Sequence, residues 1–543
     1  MRRWLLLFVM LMTCAHVATS APAPAEVAKW RESLRTLVRE LPRRHPAPFL
    51  HVTRAQWDSA ATALDLRLPN ASRSQMLVGF MQLVTLLGDA HTVIRPDRAL
   101  GLRYYPFELY AFEDGLFIRR ADSTHAALVG ARVLRIGRVS DSEAMARAGT
   151  IVPHENEWWV RAWAPFQLMV PELVEGLGLA SDVEHLPLVL ERAGRIDTVR
   201  IAPAGRIADA HGANGEPIDM RAWASMRTAP APWYERPGDD ALWWLHDPAT
   251  RTLYVCQRAV APLPRSNTNR PLWDQVFALA DSVHPERFVI DLRDNTGGNG
   301  GLNRYPVQQI LRRPALDRRG TLFVITGRRT FSAAQQFANL LEAWTQATFV
   351  GEPTGQRPTQ YGDHRPLPLP GAGMTALIST VFHQAPDEFD TRSFIAPRYF
   401  TPPTSDVYRR GIDPAMAAIL SPPSATSLVD GIERALARGD TATAEAALTA
   451  ARAEPINRFR SFERDINPIG YRLLAAQRTE SALVVFRMNT RAFPQSANTF
   501  DSLAEALLAA GYRDAAIASY RQALRVEPGF PPSVQALERL GVH

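Results

Sequence analysis

Phe288-Val-Ile-Asp-Leu-Arg293-Asp294-Asn295-Thr296-Gly297-Gly298-Asn299-Gly300-Gly301 decides how this chain is read. Its apolar run predicts a buried strand, and the Gly-rich turn at the end lets backbone N–H groups face a ligand with no Cβ in the way. Such a turn can cradle a phosphate, but the nucleotide fingerprints fail. There is no G-x-x-x-x-G-K-[ST], and Asn303 stands where the last glycine of a G-x-G-x-x-G would be. About 30 residues on comes a second strand-turn-helix, Thr321-Leu-Phe-Val-Ile-Thr326-Gly-Arg-Arg-Thr-Phe-Ser332-Ala333-Ala334. Its helix carries Phe337, Leu340, Leu341 and Trp344 at the spacing that packs on a sheet. Ser332 falls at the start of that helix, where free N–H groups and the helix dipole favour developing negative charge. The same position also suits a plain N-cap.

Around these two turns the pattern alternates regularly: strand 252–256, helix 272–283, strand 287–292, helix 302–312, strand 321–326, helix 332–344 and strand 347–350. That order predicts an α/β core with helices covering a sheet. Residues 26–88 carry helical periodicity, interrupted by loops such as His45-Pro-Ala-Pro48 and closed by Leu87-Gly88-Asp89-Ala90-His91-Thr92. From Tyr104 to Val199 short apolar runs predict strands, and 204–240, rich in Gly, Pro and Ala, reads as a loop or linker. After Pro422-Pro423 the chain becomes Ala- and Leu-rich. A shift of 34 places Ile466 on Phe500, Ile469 on Leu503, Gly470 on Ala504, Leu473 on Leu507, Ala482 on Ala516, Phe486 on Tyr520 and Pro494 on Pro528. This resembles tetratricopeptide (TPR) repeats, with 428–438 and 441–454 as a degenerate pair and 531–540 as a cap. Such repeats form a concave surface for a peptide or protein partner.

The 543 residues are 46% hydrophobic and carry a net charge of +6, with no long basic run to bind nucleic acid or anionic lipid. Lys29 is the only lysine, so a mechanism that needs a catalytic amine is nearly excluded, because arginine does not give up its proton in a protein. Arg2 and Arg3, the apolar run Trp4 to Met12 and the small residues Ala18 to Ala21 predict a signal peptide over 1–20 and export to the periplasm or outside. The run is too short to span a bilayer, which takes about 20 residues. Met12 and Thr13 fit a lipoprotein site at Cys14 poorly, so no lipid anchor is expected. Removal of the leader leaves Cys256 without a disulfide partner, and its strand setting marks it as a buried structural thiol. No cluster of His, Cys and Asp/Glu has metal-ligand spacing, and no metal or organic cofactor is expected.

The two turns together, in this order, resemble the catalytic domain of the S41 serine peptidases, the tail-specific or C-terminal-processing proteases. There a D-x-R-x-N-x-G-G turn supplies an oxyanion donor and a later serine before a helix is the nucleophile. Leu87-Gly-Asp-Ala-His91-Thr92, Val350-Gly351-Glu352-Pro-Thr354 and Gly411-Ile-Asp413-Pro414 match further motifs, so the likeness covers about residues 30–420. It implies an α/β (α+β) fold with a ClpP/crotonase-type core. The expected divisions are a helical N-terminal segment (26–100), a PDZ-like β insertion (101–203), the linker 204–240, the catalytic core (241–421) and an all-α TPR tail (425–543).

Many members use a Ser-Lys dyad with the lysine 25 residues after the serine, but here that position is Arg357. The resemblance is therefore to the tricorn-core-like branch, whose base is an upstream histidine, and His91 is the matching position. It implies Ser332 as nucleophile, His91 as general base, and as oxyanion donors the N–H groups of Gly297 or Gly298 and of Ala333. It also implies an orienting carboxylate beyond the serine, for which Asp390 is chosen from Asp387, Glu388 and Asp390. Gly115 to Arg147 resembles the family's PDZ-like module without its glycine-rich binding loop. The expected activity is serine-type hydrolysis of peptides or unfolded protein tails. The alternative is a catalytically inactive binding protein of the same fold, for peptides or hydrophobic ligands.

Overall fold

The computed structural model describes residues 22–207, 218, 220, 222–421, 425–438 and 440–542. The expected signal peptide lies outside them. The chain forms two compact units, one of residues up to Met226 together with Thr359–Gln384, the other of Arg227–Pro358 together with Ala385 onward. This division differs from the expected domain bounds, because 359–384, assigned above to the catalytic core, belongs to the N-terminal unit.

In the first unit three helices, Pro24–Arg44, Arg54–Arg67 and Arg73–Thr85, replace the predicted helical stretch. Thr53 and Ser72 start the second and third with reciprocal capping boxes to Gln56 and Gln75. Gly88, at φ +65°, ends the turn that follows the third. A three-stranded antiparallel sheet comes next, with Val93–Pro96 at its edge, Met374–Ile378 in the middle and Arg365–Leu369 beyond. A separate seven-stranded sheet contains Phe107–Phe112, Gly115–Ala121, Arg132–Ile136 and the hairpin Leu186–Arg192/Arg195–Ile201. Three helices interrupt this region, Asp141–Gly149, Glu157–Gln167 and Pro171–Gly176.

The second unit follows the predicted alternation closely. Its six-stranded sheet runs in the order Leu242–Asp247, Thr252–Gln257, Arg287–Asp291, Leu322–Thr326, Thr348–Gly351, Tyr399–Phe400, parallel except for the first pair. Side-chain alternation sorts the two faces. Leu253, Val255, Phe288, Ile290, Leu322 and Val324 pack with the helices Arg270–Val283, Arg304–Leu311 and Ala333–Trp344. Tyr254, Cys256, Val289, Phe323 and Ile325 face the opposite way, against Ala415, Met416 and Ile419. Burial pushes the Cys256 thiol pKa well up, in keeping with a structural cysteine. Trp344 departs from its expected buried face: at the helix C-terminus it is 47% exposed.

The C-terminal helices run Ala425–Ala437, Thr441–Ala453, Phe462–Ala475, Thr479–Ala492, Ala497–Ala509, Arg513–Val526 and Pro531–Arg539. A Cβ on Gly470 would stand 2.4 Å from the Phe486 ring, so the small residue lets two helices close. The array is tied to the sheet of its own unit. The Phe459 ring meets Phe400 at 5.1 Å, and Asp465 accepts from both Arg398 and Arg460.

Candidate active site

The two strand ends of the second unit are built on a buried charge network. Asp291 closes its strand at 1% exposure and accepts from the Tyr254 hydroxyl and from Arg293 Nε at 3.1 Å. The same guanidinium reaches both oxygens of Asp413, at 3.0 and 2.8 Å, and lies 4.1 Å over the Tyr234 ring. Asp413 also caps the helix Pro414–Leu420 through Ala415 N–H and Met416 N–H. The D-x-R and G-I-D-P motifs are thus two halves of one contact. Burial pushes the Asp291 carboxyl pKa up, against the pull of Arg293.

Above this network sits the glycine turn. Asn295 Oδ1 accepts Gly297 N–H at 2.9 Å, and its carbonyl accepts Phe331 N–H at 3.1 Å, so one residue fixes both the turn and the residue before Ser332. Gly297 and Gly298 hold φ of +115° and +134°, values open only to glycine at low cost. A Cβ on Gly297 would stand 2.5 Å from Ser332 Cβ, 3.0 Å from Ala333 N and 3.1 Å from Ser332 Oγ. On Gly298 it would stand 2.3 Å from the Val260 carbonyl oxygen.

Ser332 joins strand to helix at φ +54° and ψ −123°, a region that L-residues rarely occupy. Its side chain makes no capping bond, so the N-cap alternative fails. Three contacts hold the strained turn. Ser332 N–H donates to Oε1 of buried Gln356 at 2.6 Å, Asn303 Nδ2 donates to the Ala333 carbonyl at 2.7 Å, and Thr330 Oγ donates to the Leu292 carbonyl at 2.8 Å. The V-G-E-x-T motif serves the same turn. Glu352 pairs with buried Arg328 at 3.0 and 2.6 Å, and Thr354 Oγ donates to the Gln356 carbonyl.

Of the three expected oxyanion donors, Gly297 N–H is spent on Asn295. Among the described residues the N–H groups of Gly298 and Ala333 have no hydrogen-bond acceptor. All the side-chain hydrogen bonds to the Asp390 carboxylate come from Arg392, which also grips Glu342.

In the first unit His91 is partly buried on a turn organised by Asp89. Asp89, 2% exposed, accepts His91 N–H at 3.0 Å, Thr92 Oγ at 2.6 Å and His45 Nε2 at 3.0 Å. His45 Nδ1 accepts Ala47 N–H, which fixes the proton on Nε2. Thr92 Oγ in turn accepts Ser379 N–H at 3.0 Å, locking the turn to the neighbouring strand. Burial raises the Asp89 pKa, but hydrogen bonds from His45 and Thr92, among others, outweigh it and hold the carboxyl at about 2. The segment 359–384 adds Gly362, Asp363, His364 and His383. A Cβ on Gly362 would lie 3.4 Å from His383 Nε2 and 3.7 Å from His91 Nε2, and His383 pairs with Asp363 at 3.2 Å. Burial, with His364 and His383 acting alongside it against Asp89 and Asp363, lowers the His91 pKa to about 4. The imidazole is therefore neutral at pH 7. Among the described residues no group of three or more His, Cys, Asp or Glu side chains is arranged to hold a metal ion, and no helix is long and apolar enough to cross a membrane.

Sequence reasoning named Ser332, His91 and the glycines but missed Gln356, His45 and the role of Asn295. Asn295 and Asp413 stood inside quoted motifs, whereas nothing in the sequence marked Gln356 or His45 as partners of Ser332 and Asp89.

No family model and no curated protein matches the sequence. Solved structures do. Mature CPAF complexed with lactacystin shares 12% identity at a TM-score of 0.51, over 73% of this chain and 99% of that chain. A CPAF mutant shares 13% at 0.50, over 71% and 94%. The likeness is one of fold: over most of its length this chain shares the fold of CPAF.

Two stability measurements follow from this geometry. Ser332→Gly should be more stable than Ser332→Ala by about 1 kcal/mol or more, since glycine occupies φ +54° without strain. Equal urea midpoints would show that the turn is not strained. Stability should also fall on acidification in two windows. The unfolded chain protonates His91 from its ordinary value of 6.5, whereas the folded chain resists until about 4; Asp89 then loses its contribution between 3.8 and about 2. Melting of His91→Gln should vary less between pH 6.5 and 4 than wild type, and an unchanged slope would contradict the His91 shift.

Proposed function

We propose that the protein is a serine-type peptidase that hydrolyses peptides or protein tails through an acyl-enzyme, with Ser332 as nucleophile and His91 as general base. The observation that carries this reading is Ser332 itself. It is a non-glycine residue kept in a strained strand-to-helix turn, its hydroxyl not used as a cap and its flank covered by a glycine that admits no Cβ. Ser332 Oγ attacks the carbonyl carbon while His91, neutral at pH 7, takes the hydroxyl proton. The tetrahedral oxyanion is received by Gly298 N–H and Ala333 N–H, the two donors left without acceptors. Collapse breaks the C–N bond, and His91 returns the proton to the leaving amine. Water, giving a proton to His91, then attacks the ester, and His91 passes that proton to Ser332 Oγ as the C–O bond breaks and the acid leaves.

Lysine takes no part: Lys29 is exposed on the helix Pro24–Arg44. Asp390 is not carried into the mechanism, because Arg392 occupies its carboxylate. We further read the C-terminal helices as TPR-like repeats for a protein partner, Gly115–Arg147 as a PDZ-like module, and the N-terminal leader as an export signal.

A fluorophosphonate probe should label the wild type and leave Ser332→Ala unlabelled, with His91→Ala slowed by at least about a hundredfold. A wild type that neither labels nor turns over a broad peptide library supports the binding-protein alternative instead. Gly297→Ala should also lose at least about a hundredfold in kcat, because its methyl group fills the space between Ser332 Oγ and Ala333 N, whereas Asp390→Asn should keep most of the activity. Since a base with a lowered pKa stays unprotonated further into acid, the acidic limb of kcat/KM should lie near pH 4. A limb near pH 6.5 in a chain that is still folded would exclude His91 in this environment.

A further inference from the structure

His45 ends the helix Pro24–Arg44 and is 5% exposed. Between Pro46 and Pro48, which have no N–H, only Ala47 offers one, and it donates to His45 Nδ1 at 3.1 Å. Nε2 therefore carries the ring proton and donates to Asp89 Oδ2 at 3.0 Å. The ring also lies 4.9 Å from that of Tyr361. Tyr361 belongs to the short antiparallel ladder Gln360–Gly362/Val381–His383, where it pairs with Phe382 and the two rings meet at 5.3 Å. His45 thus touches two segments that both reach His91. Asp89 Oδ1 holds the His91 amide at 3.0 Å. Gly362, next to Tyr361, comes so close that a Cβ on it would stand 3.7 Å from His91 Nε2.

Packing alone does not call for an imidazole at this position. A phenylalanine would fill the place against Tyr361, and a glutamine would supply an N–H to Asp89; a ring with its proton fixed on Nε2 does both. The donor matters at a distance, because the hydrogen bond from His45 is the largest influence holding the Asp89 carboxyl at about 2 against the opposing effect of burial. We propose that His45 is the positioning residue of the general base: through Asp89 it fixes the backbone of His91, and through Tyr361 it fixes the strand beside the His91 ring. This role rests on the reading of His91 as the base of a serine-type peptidase.

Two substitutions in the full chain separate the role from bulk packing. In His45→Gln the side-chain amide can still donate to Asp89. In His45→Asn it is too short to do so and can replace only Nδ1, as acceptor for Ala47 N–H. The kcat of His45→Asn should fall about tenfold to a hundredfold with KM within about twofold of wild type, and His45→Gln should recover most of the loss. A second readout needs no turnover: the His91 Cε1–H resonance, assigned by its loss in His91→Gln, is titrated by proton NMR in the chain carrying Ser332→Ala. Burial holds the His91 pKa at about 4 against an ordinary 6.5. With His45→Asn the loosened turn admits water to the ring and Asp89 loses a donor, and both effects move the titration up toward 6.5. With His45→Gln it should stay at about 4. Asp363, His364 and His383, the other charged or titratable groups acting on the ring, are the same in every variant. Tyr361→Leu, which leaves His45 and Asp89 in place and serves also if His45→Asn fails to fold, should move the resonance in the same direction. Equal losses of kcat in His45→Asn and His45→Gln with an unmoved titration, or no movement in Tyr361→Leu, would overturn the proposal. A chain that titrates as expected but never turns over would keep the positioning role and refute the peptidase reading instead.

Discussion

The backbone of Ser332 is the constraint around which the second unit is arranged. An L-residue at φ +54° and ψ −123° costs about 1–3 kcal/mol, so it persists only where the surroundings leave no relaxed alternative. Gln356 holds the amide of Ser332, Asn295 that of Phe331, and Asn303 the carbonyl of Ala333. Each hydrogen bond contributes about 0.5–1.5 kcal/mol net, so the three together are of the size needed to offset the strain. Gly297 completes the enclosure by having no side chain, since any Cβ there would collide with Ser332.

Those restraints act only if their own anchors stay fixed, and the buried Asp291–Arg293–Asp413 network provides a rigid base. It joins a strand end to a helix start 120 residues away in sequence, and it is satisfied on every side by Tyr254, by helix N–H groups and by the Tyr234 ring. Breaking such a buried pair costs about 3–5 kcal/mol, because one charge is left without a partner. The proposed oxyanion role of the turn would gain from this stiffness, as donors already in position need no reorganisation when charge develops. Asp89 does the corresponding work in the first unit. One ionised carboxylate gathers His45, Thr92 and the His91 amide, so the imidazole is presented by a turn with little freedom.

The second unit was legible from sequence because its strands are continuous apolar runs and its helices have a clear face. Predicted bounds such as 252–256 and 287–292 meet the observed Thr252–Gln257 and Arg287–Asp291 almost residue for residue. The first unit was less so. The helices Asp141–Gly149, Glu157–Gln167 and Pro171–Gly176 are short and lie among strand-like runs, and the excursion 359–384 carries no punctuation at Pro358 or Gln384 that says it will pair with Val93–Pro96. Within the site, residues in glycine-rich motifs announced themselves, because only glycine tolerates those backbone angles. Partners that act through one side-chain hydrogen bond, such as Gln356 and His45, leave no local pattern.

The near absence of lysine bears on the chemistry as well as on the choice of base. With no amine available and Arg357 unable to release a proton, the proposed mechanism relies on an imidazole whose burial lowers its pKa to about 4. That burial keeps the ring empty of a proton at neutral pH and so ready to accept one. It also weakens the pull on the serine proton, because a base is most effective with a pKa near the working pH. Asp89 and Asp363 oppose the shift that burial imposes, and His364 and His383 reinforce it. A readily available but weak base shifts the burden of catalysis toward stabilising the oxyanion. Under the proposed mechanism the precision of the Gly297–Gly298 turn and the Ala333 amide matters more than it would beside a stronger base.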